Sequence, residues 1–464
     1  MNIIQTMTDP NLFARPFADA TFSNWRALVA GFYGLPLDDE QAEVFHQLTQ
    51  RAPTGQPFDE LWLVIGRRGG KSNVSALLAV YEAFFNDYSD KLAPGEVATV
   101  MVIAADRKQA RSVMRYIRGL IEASPMLQQM VIRDNQESIE LVNRCVIEIM
   151  TATHRGSRGY SAACVICDEI AWWLSEGANP DSEVINAIRP SLGTLGGKLI
   201  ALSSPYARRG VLWSAYRNYY GKADSKRVLV AKAPTEIMNP TLPKHIIEQA
   251  YEEDPASAAA EYGANFRTDV ETFISREAID AVVIPDRIEL APAQRNYYTA
   301  FVDAAGGSGQ DSMTCAIAHK DGEKVIIDAV RAVKPPFSPE AVVTEFCQLF
   351  MAYRVKHVTG DRWGGDFVQE QFKKRGIGYQ PSDKTKSELY AELLPLINSQ
   401  RVELPDIRRL KDELAGLERR TSRTGKDSID HAPGQHDDLI NATAGALVTA
   451  NSFKLQVAGP RVSR

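Results

Sequence analysis

The spacing of apolar residues changes repeatedly along the first half of the chain. Leu61–Ile65 is a continuous bulky apolar run, typical of a buried strand, whereas residues 72–85 have apolar positions at helical spacing. Later in this half, further apolar runs and one amphipathic stretch cover 98–105, 107–123, 137–142, 146–150, 163–170 and 198–205. Strands that alternate with helices in this way predict a mostly parallel β-sheet flanked by helices.

The pattern changes in the second half. From about residue 225 prolines interrupt the helical spacing, and 271–296 has the composition of a connector. A new alternation begins near 297, with three apolar strands, a hairpin signal at 320–323, a helix and a strand that ends at Asp361. We therefore expect an α/β protein in three parts: a first domain at 1–225, a helical subdomain and connector at 226–290, and a second domain at 291–464.

Composition and charge limit the class of protein. The 464 residues are 44% hydrophobic and 24% charged, with five cysteines and a formal net charge of −5. These values are average for a globular protein, and no apolar run is long enough for a membrane span, so no membrane partner is expected. The net charge argues against a general nucleic-acid coat protein. The basic stretches 373–375, 408–411 and 419–426 are either local DNA contacts or solvated faces.

A glycine-rich turn follows the first apolar strand. Strand, glycine-rich turn and helix form the context of a phosphate-binding loop, in which Lys71 reaches the outer phosphates and Ser72 binds Mg²⁺. The strict motif requires its first glycine at position 65, which is Ile65. The glycine of this chain lies one position later, at Gly66. The competing interpretation is a surface turn with exposed basic residues. The turn that would hold the phosphates comprises Gly66, Arg67, Arg68, Gly69, Gly70, Lys71 and Ser72.

Two later strands end in residues that suit nucleotide hydrolysis. Asp168 ends an apolar strand, as in a Walker B element that binds Mg²⁺, and Glu169 follows it as a candidate base. The next strand ends in Ser203–Pro205, which is either a γ-phosphate sensor or a plain turn. Gln41, upstream of the loop, is either an adenine contact or a helix-surface residue.

Carboxylates end several elements of the second half. Asp303 and Asp361 end strands, and a helix begins with His436, Asp437 and Asp438. Converging carboxylates of this kind suggest a two-metal site for phosphodiester hydrolysis, and their order suggests an RNase H-like fold. Aspartates also commonly end strands and cap helices without any function.

Taken together, the chain resembles the large terminase subunit of tailed bacteriophages and prophages over roughly 30–450. The motifs that carry the resemblance are IGRRGGKS, CVICDE, LSSP, FVDAAGG, TGDRWGG and HDDLINA. Family members carry a shifted phosphate loop with an internal arginine. The resemblance implies a P-loop ATPase of the ASCE type followed by an RNase H-like nuclease.

The resemblance also implies a role for each matching residue. Lys71 and Ser72 would bind ATP and Mg²⁺, Asp168 would hold the metal, Glu169 would be the base, and Ser203–Pro205 the coupling element. Mg²⁺ or Mn²⁺ at the nuclease site would be held by Asp303, Asp361 and Asp437, with Asp438 as a helper and Asp311 as a further acidic candidate. Which of Asp437 and Asp438 is the main ligand stays open. Arg155 or Arg158 would reach the ATP of a neighbouring subunit.

The implied function is ATP-driven movement of double-stranded DNA into a procapsid, with cutting of concatemeric DNA. Implied partners are the portal protein, the small terminase subunit and other copies of the chain in a ring, expected to be a pentamer, in the host cell cytoplasm. Two alternatives stay open: a helicase-like ATPase fused to a nuclease, and an ATP-gated DNA-binding scaffold without nuclease activity.

Overall fold

The structure is a computed structural model that describes residues 1–152, 159–173, 180–361, 365–421, 427–432 and 435–452. The chain divides into two compact units, Met1–Thr268 and Asp269–Arg464. Among the described residues, no helix is both long enough and apolar enough to cross a membrane.

The first unit contains eight strands and twelve α-helices, with short 3₁₀ turns at Ala20–Phe22, Ser89–Lys91 and Ile170–Trp172 among its described residues. Its strands are β1 (Glu60–Ile65), β2 (Ala98–Ala104), β3 (Val131–Asp134), β4 (Ser138–Leu141), β5 (Cys145–Thr151), β6 (Ser161–Asp168), β7 (Lys198–Ser203) and β8 (Val228–Ala233). Its helices are α1 (Ile3–Thr8), α2 (Ala14–Phe17), α3 (Ser23–Phe32), α4 (Asp39–Thr49), α5 (Lys71–Phe84), α6 (Arg107–Glu122), α7 (Pro125–Gln128), α8 (Pro180–Gly193), α9 (Gly210–Tyr219), α10 (Thr235–Met238), α11 (Lys244–Glu253) and α12 (Pro255–Glu261).

The sheet of the first unit has the strand order β3-β4-β5-β2-β6-β7-β1-β8. The last six strands in this order, β5, β2, β6, β7, β1 and β8, are parallel to one another. Strands β3 and β4 form an antiparallel edge. One strand, β7, lies between β1, which leads into the glycine-rich turn, and β6, which ends in Asp168. This inserted strand is the arrangement of ASCE-type P-loop domains, so the predicted fold of the first unit is confirmed.

Both faces of this sheet are covered, which explains why its strands are apolar without interruption. Leu61, Leu63 and Ile65 pack into the core on one face, and Trp62 and Val64 pack into the core on the other. Because neighbouring side chains of a strand point to opposite faces, the run had to be apolar at every position. The parallel strands bring the carboxyl ends of β1, β6 and β7 to one edge of the sheet.

The second unit contains ten strands and six helices in its described residues. The strands are β9 (Val270–Thr272), β10 (Val283–Ile284), β11 (Tyr298–Asp303), β12 (Met313–Asp321), β13 (Lys324–Val333), β14 (His357–Gly360), β15 (Gly378–Pro381), β16 (Val402–Pro405), β17 (Leu417–Thr421) and β18 (Asp427–His431). The helices are α13 (Arg276–Asp280), α14 (Pro339–Ala352), α15 (Gly365–Lys374), α16 (Lys386–Asn398), α17 (Arg408–Ala415) and α18 (Asp438–Ser452).

The larger sheet of this unit has the order β10-β16-β13-β12-β11-β14-β15. Strands β11, β12 and β13 form an antiparallel meander, and β14 and β15 continue the sheet parallel to β11. The predicted hairpin at 320–323 joins β12 to β13, with Gly322 at φ 60°. This order, three antiparallel strands followed by two parallel ones, is RNase H-like, as predicted. Helix α18 packs against β11, β12 and β13.

The expected segment at 226–290 is divided between the two units. Strand β8 pairs with β1 in the first sheet, whereas β10 pairs with β16 and β9 pairs with β17 in the second unit. The supposed connector at 271–296 therefore supplies strands, because short segments that pair with distant strands carry little periodic signal of their own. The predicted helix with three polar residues at its start begins at Asp438, so Asp437 precedes it.

Candidate ATP-binding and metal-binding sites

The glycine-rich turn of the first unit has left-handed backbone at two positions. Arg68 and Gly70 have φ values of 64° and 90°, in the left-handed region. The turn is fixed from outside by three side chains, because the carbonyls of Arg67, Arg68 and Gly69 accept hydrogen bonds from Thr235 Oγ1 at 2.8 Å, Asn239 Nδ2 at 2.8 Å and Trp25 Nε1 at 3.0 Å. With these carbonyls occupied elsewhere, the shape of the turn is set before any ligand binds.

The position of the first glycine has a packing reason. A Cβ atom on Gly66 would lie 2.3 Å from Thr235 Oγ1 and 2.6 Å from the carbonyl oxygen of Tyr262. Gly66 is therefore needed where the turn passes the segment after β8. Ile65, where the strict motif has glycine, is instead a buried strand residue of β1.

Lys71 and Glu169 meet across the sheet edge. Lys71 is 5% exposed, its Nζ donates to the carbonyl of Ile65 at 3.0 Å, and it lies 3.5 Å from Glu169 Oε1. Glu169 has φ 48°, so its backbone lies in the left-handed region. Its other carboxylate oxygen accepts from Ser203 Oγ at 2.9 Å and from the backbone N–H of Ser204 at 3.3 Å. The predicted phosphate binder, base and serine element thus form one connected group.

Asp168 is buried beside this group. It is 3% exposed, and its Oδ1 atom has no hydrogen-bond partner among the described residues. Burial raises the pKa of Asp168 to about 7, and the neighbouring charge of Glu169 adds to the shift. A buried carboxylate oxygen without a partner fits a hard cation, because Mg²⁺ prefers oxygen ligands.

A cavity of about 500 Å³ opens beside the turn. Of the predicted residues it is lined by Arg67, Arg68, Gly70, Lys71, Ser72 and Glu169. Sequence reasoning missed Asn73, which directly follows Ser72, and six further lining residues, because these six come from distant segments without a motif. They are Thr21, Phe22, Tyr116, Met238, Asn239 and Thr241.

The prediction of an adenine contact for Gln41 is not met. Gln41 is not among the described residues that line this cavity, and its Oε1 accepts from the backbone N–H of Asp38 at 3.2 Å, in the capping box that begins α4. The sequence D-x-x-Q is a helix-start signal, and this local role determines where the side chain lies. Gly66 and Gly69 are likewise buried parts of the turn rather than part of the lining. Arg155 and Arg158 lie outside the described residues.

In the second unit one amide joins two of the predicted carboxylates. Asn441 Nδ2 donates to Asp303 Oδ2 at 3.0 Å and to Asp361 Oδ2 at 2.8 Å. Asp303 ends β11 and Asp361 follows the neighbouring strand β14, so the parallel pairing of these strands places both at one edge. Asn441 was not predicted, although it stands four residues after Asp437 and therefore on the same side of the helix start.

These carboxyl groups strongly affect one another. Burial, and next the charge of Asp361, hold the pKa of Asp303 well above its ordinary value. Burial also raises the pKa of Asp361, while the hydrogen bond from Asn441 lowers it and the charge of Asp437 raises it. Negative charges held this close in a buried place fit divalent cation binding, which removes the repulsion.

Asp437 and Asp438 are buried but have separate cationic partners. Asp437 accepts from Tyr390 at 2.8 Å and lies 3.0 Å from Lys386 Nζ. Asp438 accepts from the backbone N–H of Ser312 at 2.8 Å and lies 3.3 Å from Arg409. Asp437 contributes to the raised pKa of both Asp303 and Asp361. Asp438 contributes to that of Asp303. Both members of the doublet thus lie within electrostatic reach of Asp303, and the choice of Asp437 as the main ligand stays a prediction.

Two further groups of ligand atoms surround this doublet. Asp311, His436 and Asp438 form one group, and Asp430, His431 and Asp437 form the other, with the ligand atoms of each group within 4.8 Å of one another. Asp311, the further acidic candidate, thus lies close to Asp438. Asp303 and Asp361 belong to neither group.

The basic stretches are largely engaged within the protein. Arg375 pairs with Glu340 at 3.2 Å, and Lys374 lies 3.9 Å from Glu370. In the stretch 408–411, Arg409 holds both Glu413 and Asp438. Arg419 lies 3.6 Å from Asp427, and 422–426 are outside the described residues. The charge of the described stretches is thus partly balanced locally, which weakens them as DNA contacts.

Comparison with known proteins places the first unit in a family. Residues 32–264, just over half of the 464 residues, match the family described as "Uncharacterized protein MJ0330, N-terminal P-loop domain". The chain belongs to this family. The match spans the turn, both strands that carry Asp168 and Ser203, and β8. No curated protein matches the chain.

Solved structures similar to the chain include large terminases. The large terminase of bacteriophage HK97 is 17% identical, with 90% of this chain and 95% of that chain covered and a TM-score of 0.39. The large terminase of a thermophilic bacteriophage is 12% identical, with 92% and 98% covered and a TM-score of 0.42. The large terminase nuclease of another thermophilic phage, G20c, with bound magnesium is 20% identical, with 37% and 94% covered and a TM-score of 0.33.

Proposed function

We propose that this chain is the large subunit of a viral terminase, an ATPase that moves double-stranded DNA into a procapsid and a metal-dependent nuclease that cuts it. The observation that carries the proposal is the pairing of two sites in one chain. The first unit holds Lys71 against Glu169 at the edge of an ASCE-type sheet. The second holds Asp303 and Asp361 on one amide at the edge of an RNase H-like sheet.

In the first site the residues of the chain divide the work of hydrolysis. Backbone amides of the turn and Lys71 bind the phosphates, and Ser72 with Asp168 holds the Mg²⁺ of ATP-Mg²⁺. Glu169 accepts the proton of the attacking water, and the hydrogen bond from Ser203 sets the orientation of its carboxylate. Loss of the γ-phosphate would change the partners of Lys71 and Glu169, and Ser203–Pro205, which contacts Glu169 through Ser203, would transmit this change.

In the second site Asp303, Asp361 and Asp437 hold divalent ions, Mg²⁺ or Mn²⁺. Such ions supply charge stabilisation for the attacking and leaving oxygens of a phosphodiester. Tyr390 and Lys386 fix the carboxylate of Asp437, and Ser312 and Arg409 fix that of Asp438. The protein thereby keeps its carboxylates at set positions before DNA arrives.

The proposed partners follow from this assignment. They are double-stranded DNA, the portal protein, the small terminase subunit and other copies of the chain in a ring, a pentamer, on the procapsid in the host cytoplasm. A helicase-like alternative would require a second core domain of the P-loop type. The second unit has instead the RNase H-like strand order, so the motor–nuclease assignment is preferred.

The proposal is tested by separating its two activities with single substitutions. Asp303→Asn and Asp361→Asn in the full chain are expected to abolish cleavage of plasmid DNA in Mg²⁺ or Mn²⁺ and to leave ATP hydrolysis near the wild-type rate. The ATPase site belongs to the other unit and uses different carboxylates. Asp437→Asn is expected to act like the first two.

Cleavage at the wild-type rate in both variants would show that Asp303 and Asp361 are not ligands of the nuclease site. A folded wild-type protein that does not cut DNA in either metal would favour the ATP-gated DNA-binding scaffold. A parallel loss of ATP hydrolysis would show that the two sites are wrongly assigned. Duplex unwinding by the wild-type protein would favour the helicase-like alternative.

A further inference from the structure

Asn441 occupies a central position in the second site. It lies in the first turn of α18 and is 1% exposed. Its amide nitrogen has two hydrogens, and each is directed to one carboxylate, Asp303 or Asp361. The amide therefore satisfies two acidic side chains that come from different strands.

The oxygen of the same amide has no partner. Asn441 Oδ1 is buried and has no hydrogen bond to any residue that the structure describes. A buried carbonyl without a partner is costly, and such groups are rare in folded proteins. This oxygen is one amide width from the nitrogen that contacts Asp303 and Asp361, so it belongs to the same site.

The surrounding charges explain why this position carries an amide. Asp437 has Lys386 as a cationic partner, and Asp438 has Arg409. For Asp303 and Asp361 the donor that the structure provides to both is the neutral Asn441. A carboxylate at position 441 would add a further negative charge to groups that already repel one another.

We propose that Asn441 is a metal ligand that exchanges its two polar atoms on metal binding. Without metal, its nitrogen holds Asp303 and Asp361 together. With a divalent ion between these carboxylates, half a turn about the last side-chain bond presents Oδ1 to the ion, so the unpaired oxygen becomes a ligand. Oxygen from an amide side chain is a suitable ligand for Mg²⁺ and Mn²⁺. The inference rests on the nuclease function proposed above, because the ion is that of the nuclease.

The test measures Mn²⁺ affinity by calorimetry, on full chains without nucleotide. All proteins carry Asp168→Asn, which removes the carboxylate proposed for the ion at the ATP site. Asn441→Leu keeps the side-chain size and removes both polar atoms, and we expect Mn²⁺ affinity to fall about 10-fold or more. Asn441→Asp replaces the neutral ligand by a charged one, and we expect tighter binding of Mn²⁺ together with a lower melting temperature in EDTA.

Asn451→Asp is the matched control, because it makes the same change near the end of the same helix, on a partly exposed residue. It is expected to leave Mn²⁺ affinity unchanged. If Asn441 is a ligand, Asn441→Leu weakens Mn²⁺ binding and Asn441→Asp strengthens it. If Asn441 is only a packing residue, both variants bind Mn²⁺ more weakly or with unchanged affinity.

Wild-type Mn²⁺ affinity in a folded Asn441→Leu protein would overturn the inference. If that variant does not fold, Asn441→Asp decides alone, and affinity that is unchanged or weaker would overturn it. Asp303→Asn distinguishes the two levels of the argument. If Asp303→Asn abolishes Mn²⁺ binding and the Asn441 variants do not alter it, the amide ligand alone is wrong. If Asp303→Asn also leaves Mn²⁺ affinity unchanged, both the amide ligand and the proposed metal centre of the nuclease are wrong.

Discussion

At the scale of single residues, Glu169 connects the phosphate-binding lysine of the proposed ATPase site to the serines at the end of β7. It contacts Lys71 on one side and Ser203 and Ser204 on the other, and its own backbone has a positive φ of 48°. A non-glycine residue in this region is strained, and strain of this kind persists where the surrounding structure holds it in place. The contacts with Lys71, Ser203 and Ser204 are that surrounding structure.

Two substitutions separate binding from hydrolysis at this site. Glu169→Gln keeps an oxygen that accepts from Ser203 but loses the base, so we expect ATP binding to persist and hydrolysis to slow by at least about 100-fold. Lys71→Ala removes the phosphate contact and is expected to weaken ATP binding itself. Titration of a fluorescent ATP analogue and a steady-state phosphate-release assay measure the two effects. Near-normal hydrolysis by Glu169→Gln would assign the base to another residue.

The pKa of Asp168 predicts how stability depends on pH. The pKa is about 7 in the folded protein, against an ordinary value of 3.8. Between pH 3.8 and about 7, the carboxyl of Asp168 is ionised in the unfolded chain and protonated in the folded protein. The free energy of unfolding therefore falls as the pH rises toward 7, and this contribution stays constant at higher pH. In EDTA without nucleotide, Asp168→Asn is expected to raise the melting temperature at pH 8 by roughly 5 °C, with the difference narrowing as pH falls toward 5.

Asp90→Asn is the control for this measurement, because Asp90 is exposed in the same unit. It is expected to change the melting temperature little at either pH. A gain in Asp168→Asn that is as large at pH 5 as at pH 8 would show that ionisation of Asp168 is not its cause.

At the scale of elements, the phosphate turn depends on the segment that follows β8. Thr235 and Asn239 hold two of its carbonyls, and Gly66 packs directly against Thr235 and Tyr262. The turn therefore takes its shape from residues far along the chain. Thr235 and Arg67, which share a hydrogen bond, are 168 positions apart.

Gly66→Ala tests this dependence. A methyl group would lie 2.6 Å from the Tyr262 carbonyl and 2.7 Å from the Thr235 backbone nitrogen, so the turn must shift. Overpacking of this kind costs about 1–3 kcal/mol. We expect a lower melting temperature and weaker ATP binding. Gly119→Ala, within helix α6 and with nothing described within 4 Å of its added methyl group, is expected to be neutral or stabilising. Equal behaviour of the two variants would contradict the packing role of Gly66.

At the scale of the whole molecule, the boundary between the units decides which fragments fold. The second unit begins at Asp269, and residues 270–284 supply β9, α13 and β10. Phe273, Ile274, Ile279 and Val282 of this segment are buried in the core of the second unit.

Two fragments that differ at this boundary should therefore behave differently. Fragment 269–464 is expected to be monodisperse, to melt cooperatively and to cut plasmid DNA in Mn²⁺ without ATP. Fragment 291–464 lacks β10 and β9, each of which pairs with one edge of β16 or β17, and leaves their apolar contacts exposed, so we expect it to aggregate or to melt at least about 10 °C lower. Gel filtration, thermal melting and a plasmid assay compare them. Equal stability of both fragments would place the boundary near 291 instead.

The sequence by itself determined the elements whose signals are local. The apolar run before the glycine-rich turn and the strand that ends in Asp168 were predicted because a strand buried on both faces must be apolar throughout. The strands that lead to Asp303 and Asp361 were also predicted. Their order along the chain also predicted the two fold classes. Gln41 shows the limit, since its local capping role competes with a distant ligand contact and the sequence does not rank the two.

Only the tertiary structure decided which residues meet. The segment 270–284 has a weak pattern because its strands are two or three residues long and depend on β16 and β17. Asn441 is an ordinary helix residue in the sequence, and its place between two carboxylates follows from the packing of α18 on β11. Hydrogen bonds and charges act over a few ångströms in space, whereas sequence patterns report neighbours along the chain. Sites built from distant segments are therefore settled by packing.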